Sequence, residues 1–341
     1  MRESGSKSAR RSPNVLALLP KVVENAVDYY RIVSAFDVLR DRGYPVGYVP
    51  YPIARKLVTE GHMDPAQYDV FVLCRAASVE YDTRILRFIE VLQQAGKIVI
   101  YESDDDYTNE HRKATEGNAI PVAQACDALT TSTPYLAKVL RQHNKHVYVL
   151  PNALNFDIWD KVERQTDERI TIGLAGTGTH FEDYRLVTDA LFRLAERDDV
   201  RFLMVGYTPY YLEDLPNMEF VSPRPYPDYA KALGRVDIGL CPLVPDDEFN
   251  LAKSAVKALE WMAAGAAVIA QDMPVYRRVV NNRSNGLLAS GDWYDKILLL
   301  VEDERLRHKL AQVGRRWVQK HRNIRTLAKK WWRVYEEVYQ L

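Results

Sequence analysis

The feature that most constrains this chain is a rhythm of short apolar runs and amphipathic helical stretches, broken once and then resumed. Apolar runs at 15–19, 47–50, 70–74, 98–101, 128–131 and 147–150 read as strands. Between them, residues 29–42 form a helix that Gly43 stops, and 83–94 repeats Ile85, Phe88, Ile89 and Leu92 at helical spacing. Pro151-Asn152 ends this series, and the polar stretch 156–167 reads as a connection. Strands then resume at 170–174, 201–205, 237–241 and 267–270. From Trp293 the pattern is helical, ending in a helix over 324–339. Strands alternating with helices make parallel sheets. The chain is therefore α/β, with two Rossmann-like, doubly wound domains. The expected division is a disordered stretch at 1–12, one domain at 13–160, a second at 161–322, and a last helix at 323–341. Trp317, Trp331, Trp332, Tyr335 and Tyr339 supply the apolar surface that returns that helix to the first domain. Open parallel sheets bind ligands beyond the carboxyl ends of their strands, so two such edges face one cleft.

Composition removes several alternatives. Lys+Arg and Asp+Glu both number 46 in 341 residues, so bulk charge points to no nucleic-acid partner. No apolar run reaches the ~20 residues of a transmembrane helix. The polar start MRESGSKSARRS reads as disordered rather than as a signal peptide. Cys74, Cys126 and Cys241 lie far apart, as reduced thiols of a cytoplasmic protein do. The seven histidines, from His62 and His111 to His321, show no metal-ligand spacing, so no histidine metal site is expected.

Two segments have the chemistry of anion binding. The run 170–174 leads into Ala175-Gly176-Thr177-Gly178-Thr179-His180 before a helix. Glycines there let backbone amides approach an anion, and the two threonines add hydroxyl donors. Gly173 and Gly178 have P-loop spacing, but Thr179 and His180 stand where Lys and Ser/Thr belong, so a Walker ATPase is not supported. His180 reads equally as a ligand contact or a plain helix entry. The second segment, from Asn250 through Lys253 and Ser254 to Ala264, reads as a helix entry and helix. Lys253, Lys257 and Glu260 then share one helical face. Two lysines near a helix N-terminus oppose its dipole, and a diphosphate would offset them. A solvated Lys/Glu face is the plainer alternative.

Glu102, Asp104, Asp105 and Asp106 follow the strand 98–101 directly. Carboxylates this close raise one another's pKa values unless a cation or hydroxyl network is near. They read as hydroxyl binders, a general base or a metal site, or else as a solvated loop. Tyr30 and Arg31 begin the first helix at the same edge, or serve as a core tyrosine and a surface arginine. The basic residues of the final helices, Arg322, Lys329 and Lys330 among them, read as a solvated face or as a strip for a polyanion.

The segment FNLAKSAVKALEWMAAGAAVIAQ resembles the nucleotide-binding signature of retaining GT-B glycosyltransferases, the large family that includes sucrose and mannosyl transferases. Glu260-Trp261-Met262-Ala263-Ala264-Gly265 matches that family's second glutamate and the small-residue and glycine stretch after it. IGLAGTGTHFEDY is similar to the donor-domain loop of short bacterial and phage variants, with Asp183 and Tyr184 inside the match. Tyr29–Ile32 and 101–106 extend the likeness, which spans roughly 15–291. The resemblance implies the GT-B architecture, with the last helix packed back on the first domain. It implies a nucleotide-sugar donor, UDP- or GDP-linked, and transfer to an acceptor hydroxyl with retention. It requires no metal, although a divalent ion is compatible with it. Glu260 is then the ribose ligand, and the segment 221–226, with Arg224 and Tyr226, lies by the base. Gly176, Thr177, Gly178, Thr179, His180, Asn250, Ser254 and Lys257 complete the donor site. Lys253, Asp104 and Asp105 carry the chemistry, while Tyr30, Arg31, Glu102 and Asp106 face the acceptor.

This sequence also departs from the family. Ala252 stands where the first glutamate belongs, eight positions before Glu260. The usual Arg and Lys of the first loop are absent, which leaves Lys253 and Lys257 to neutralise the leaving diphosphate. The acceptor is a glycan, a lipid or a hydroxylated DNA base. The rival readings are a nucleotide-sugar 2-epimerase and a non-catalytic nucleotide-sugar-binding protein.

Overall fold

The computed structural model describes residues 12–20, 26–59, 62, 64–75, 84–109, 119–165 and 167–341. The expectation of a disordered start falls almost wholly outside them, as do His111 and the first residue of the helix expected at 83–94. Twelve strands form two six-stranded sheets. The first holds β1 (Val15–Leu19), β2 (Val46–Pro50), β3 (Val70–Cys74), β4 (Ile98–Ser103), β5 (Ala128–Thr131) and β6 (Val147–Val149), in the order 2-1-3-4-5-6. The second holds β7 (Ile170–Ala175), β8 (Val200–Val205), β9 (Met218–Val221), β10 (Ile238–Cys241), β11 (Ala267–Gln271) and β12 (Leu287–Ala289). Its order is 12-11-10-7-8-9, the Rossmann arrangement with its switch point between β7 and β10. Every pair is parallel, as the alternation of strand and helix requires. The short β12 has too few apolar residues to stand out in the sequence.

Both faces of each sheet are covered. Val15, Ala17 and Leu19 enter one core with Phe36, Trp331 and Tyr335. Leu16 and Leu18 enter another with Phe88, Ile89 and Leu136. This two-residue alternation on a fully buried strand shows why β1 is apolar throughout. In the second half, Trp261 and Leu259 pack on one face of the sheet, and Val187, Leu191 and Ile297 on the other.

The first helix runs as Ala26–Asp28, a π turn at Tyr29–Val33, and Ser34–Asp41. Such π turns occur where a helix carries functional side chains, and this one presents Tyr30 and Arg31. The last helix, Ile324–Val338, packs on the first half, and its Trp331 donates a 2.8 Å hydrogen bond to the Arg31 carbonyl. The chain crosses between halves at Leu154 and returns at Asn323. These two residues form a parallel bridge, closed by Leu154 N–H to Arg322 O at 2.7 Å and Ile324 N–H to Leu154 O at 3.0 Å.

Candidate active site

The loop after β7 is shaped by two glycines in contact. Gly206, after β8, adopts φ +90°, and a Cβ there would lie 2.5 Å from the Gly176 carbonyl oxygen. A Cβ on Gly176 would lie 2.6 Å from the His180 ring. The two loops can approach only without side chains. A 3-10 turn at Gly178–His180 leads into the helix Phe181–Leu194, and the Thr177 and Thr179 hydroxyls sit 2.9 Å apart.

His180 Nδ1 lies 2.8 Å from Asp183 Oδ2, and the ring stacks on Tyr184 at 6.0 Å. Asp183 is buried and also accepts from the Val244 amide at 2.8 Å and from Asn250 Nδ2 at 3.0 Å. Burial lowers the His180 pKa, and Lys253 and Lys257 lower it further against the pull of Asp183. Burial acts to raise the Asp183 pKa, but the His180 hydrogen bond, Lys253 and the Val244 amide bring it below its usual value. A neutral imidazole donating Nδ1–H to a carboxylate leaves Nε2 as an acceptor. His180 lines the cavity described below.

Lys253 corrects one expectation. It does not lie on the helix with Lys257 and Glu260. A short helix, Glu248–Ala252, ends at Lys253, whose ψ is 160°, and the next helix is Val256–Ala264. Thr133 Oγ1, from the first half, donates to the Ala252 carbonyl at 2.9 Å. In a continuous helix that carbonyl would accept from Val256. Lys253 Nζ sits 5.1 Å from the Phe249 ring and 3.8 Å from Asp183 Oδ2. Ser254 Oγ accepts from Asn152 Nδ2 at 2.8 Å. Asn250 is buried and holds Asp183 and the Val244 carbonyl, so it supports the site from behind.

Glu260 is 1% exposed and fully engaged. Tyr30 of the first half donates to Oε1, while Tyr229 and Lys257 reach Oε2 at 3.0 and 3.2 Å. Its neighbour Trp261 fixes the helix to the sheet. A Cβ on Gly239 would lie 2.3 Å from the indole, and one on Gly173 3.0 Å away. The glycines of β7 and β10 thus form the slot that the ring fills.

Beyond β9, Pro223, Arg224, Pro225, Tyr226, Tyr229 and Lys257 line a cavity of about 390 Å³ with Gly176 and Gly206. Tyr226 is buried, accepts from Trp159 Nε1 at 2.7 Å, and meets Tyr30 edge-on at 5.2 Å.

The acidic run divides. Glu102 is buried under Arg31, with Nε to Oε1 at 2.7 Å and Nη2 to Oε2 at 3.1 Å, and Thr130 also donates to it. Arg31 further reaches Asn152 Oδ1 at 2.8 Å. Burial pushes the Glu102 pKa up, with Arg31 opposing, so the rise owes more to burial than to repulsion among neighbours. Asp106 turns back on Thr108, accepting from its amide at 3.1 Å and its hydroxyl at 2.6 Å. Asp104 lies 3.9 Å from Arg75, which also holds Asp28 at 2.9 Å.

A cavity of about 570 Å³ lies between the two halves. Its walls bring together Tyr30, Asp104 and Asp105 from the first half with Thr177, Thr179, His180, Lys253, Ser254 and Lys257 from the second. Arg31, Glu102, Asp106, Asn250 and Glu260 stand outside its lining. Asp183 was placed inside the donor-loop likeness without a role, and its spacing from His180 puts the two on one helical face. Tyr229 beside Glu260 and Arg75 beside Asp104 were not singled out from the sequence. Among the described residues no cluster of three or more His, Cys, Asp or Glu is arranged to hold a metal ion. No helix among them is long and apolar enough to cross a membrane.

The fold is that of GT-B enzymes. The sucrose-phosphate synthase of Thermosynechococcus elongatus superposes with a TM-score of 0.69 at 14% identity, covering 97% of this chain and 100% of that one. HepE of Anabaena, solved in complex with UDP and glucose, gives 0.67 at 13% identity, covering 93% and 98%. A glycosyltransferase from Rickettsia africae gives 0.66 at 13%, covering 96% and 99%. No curated protein sequence matches the chain. Residues 169–303, most of the second half, match the family model for group 1 glycosyl transferases. Residues 169–303 are thus a group 1 glycosyl transferase domain, and that domain carries the loop after β7 and the Lys253–Glu260 segment.

Proposed function

We propose that the chain transfers a sugar from a nucleoside diphosphate sugar, UDP- or GDP-linked, to an acceptor hydroxyl. The observation that carries this reading is the pairing of charges across the cavity. Lys253, Lys257 and the Thr177–Thr179 turn line one side, and Asp104 and Asp105 line the other. Its volume is in the range of small-molecule sites. HepE, which shares the fold, was solved with UDP and glucose.

In this reading the base occupies the cavity beside Arg224 and Tyr226. The diphosphate lies over Gly176–Thr179, Ser254, Lys253 and Lys257. As the bond from the anomeric carbon to the diphosphate breaks, negative charge grows on the leaving oxygen. The lysines and turn amides stabilise that charge, the kind of electrostatic contribution that dominates many enzymes. Asp105, with Asp104 beside it, accepts the acceptor's proton. The neutral His180 accepts a hydrogen bond from a sugar hydroxyl. Tyr30 and the buried Arg31–Glu102 pair shape the acceptor side, and Asp106 holds the loop that carries Asp105. Glu260 anchors Lys257 and Tyr229 beside the ribose, and touches the ribose itself when Tyr30 moves aside. Retention at the anomeric carbon is what the resemblance implies. A glycan, a lipid or a hydroxylated DNA base supplies the hydroxyl.

The test is a thermal-shift panel of UDP, GDP and their sugars, on wild type and Lys253→Ala. A ligand at ~100 times its Kd stabilises by ~2.7 kcal/mol. A shift with one nucleotide, diminished in the variant, identifies the donor class. The anomeric configuration of the product then reads retention. No shift with any nucleotide overturns the donor site, and binding without an acceptor-dependent product supports the non-catalytic rival.

A further inference from the structure

Lys253 and Ser254 face two cavities. On the side away from the turn after β7, they help line a second pocket of about 390 Å³, at the carboxyl ends of β5 and β6. Three further cations reach it from separate elements. Arg278 follows the short helix Pro274–Arg277, Arg322 precedes the last helix, and Lys330 lies on that helix. No carboxylate is among the residues that line it.

Elsewhere the chain pairs its arginines freely, as with Arg277 to Asp272 at 2.6 Å and Arg325 to Asp157 at 2.6 Å, residues adjacent or close to these. Arg278, Arg322 and Lys330 have no carboxylate within ion-pair distance among the described residues. Arg322 is half-buried, its guanidinium donates to the neighbouring His321 carbonyl at 3.1 Å, and it packs on Trp317 at 5.6 Å. Burial lowers its pKa with no acidic group to restore it. Like charges held together in a partly closed pocket repel one another unless an anion enters. In a chain with zero formal charge, this concentration is local.

We propose that this pocket binds a phosphate group on a molecule other than the sugar donor. Arginine forks fit phosphate oxygens two at a time, and a lysine adds a point charge. The pocket is walled by both halves and the last helix, so its ligand touches all three. The proposal rests on this lining and not on the donor assignment.

The test uses the full chain, with inorganic pyrophosphate as probe and diethyl phosphate as a second arm. Each is followed by thermal shift and calorimetry on wild type, Arg278→Gln/Arg322→Gln/Lys330→Gln and Lys257→Gln. The expected result is a pyrophosphate site whose affinity is at least ~10-fold weaker in the triple variant and kept in the Lys257 variant, where only a separate contribution from the donor site falls. If Arg322→Gln prevents folding, Arg278→Gln/Lys330→Gln alters only exposed side chains and still weakens binding. Competition by diethyl phosphate marks a phosphodiester borne by an acceptor, and its failure marks a free terminal phosphate. Three outcomes overturn the proposal: no pyrophosphate binding in wild type, binding untouched in the triple variant, or equal weakening in both variants, which places one anion at the donor site. A nucleotide shift that survives in the triple variant keeps the donor reading separate from this one.

Discussion

His180 shows how one residue's surroundings set a measurable property of the whole chain. Burial holds its pKa below 6.5, so the folded protein keeps it neutral where the unfolded chain would protonate it. Below 6.5 the unfolded state therefore binds more protons, and stability falls as pH falls. Asp183 adds a loss of the same sign at lower pH, as its carboxylate is protonated below its already lowered pKa. Between about pH 6.5 and about pH 5, the Tm of His180→Gln should fall less than that of wild type, as read by calorimetry across that range. Asp183→Asn leaves the Val244 amide and Asn250 facing an amide and releases the imidazole. It should lower kcat with folding retained, and a variant with unchanged kinetics would remove His180 from the site. The turn 176–180 was readable because its glycines and threonines are contiguous. The contacts behind it were not, since Asp183 meets Asn250 from 67 residues away. The same distance problem hid the pairing of Arg31 with Glu102, which looked like two cavity-facing groups and is one buried pair.

At the scale of elements, the helix Val256–Ala264 depends on two glycines in neighbouring strands. Gly239→Ala would drive a methyl into the Trp261 ring and should cost ~1–3 kcal/mol, visible as a lowered Tm and as weaker nucleotide binding through displaced Lys257. A Tm unchanged within error would show that the ring can shift sideways. Gly206→Ala combines a strained φ with a clash against the Gly176 carbonyl and should also lose ~1–3 kcal/mol. Strand and helix periods were legible for nearly every element that holds the two sheets. The break at Lys253 was not, because no glycine or proline marks it. A hydroxyl from the other half makes it, by taking the Ala252 carbonyl.

At the scale of the whole molecule, the halves are joined by side chains as well as by the paired chain crossings at Leu154 and Asn323. Tyr30→Phe removes the donor to the buried Glu260 Oε1 and should destabilise by ~1–3 kcal/mol. It should also leave that oxygen open to a ribose hydroxyl, so nucleotide should bind more tightly as the unliganded Tm drops. Weaker binding would mean that Tyr30 supports the donor site instead of covering it. Trp331→Ala removes a fully buried ring from the last helix and should cost ~3–5 kcal/mol in the first half, although the residue follows the second in sequence.

The two chain crossings paired at Leu154 and Asn323 are placed as a fulcrum between the halves. Any rotation of one half against the other moves atoms in proportion to their distance from that paired bridge. In such a rotation Arg322 and Asn152, within two residues of it, would move least and the far lips of the cleft most. Lever geometry would then keep the spacing near the bridge nearly constant while the far lips open or close. A ligand held near the fulcrum can stay in place while the one at the lips is exchanged.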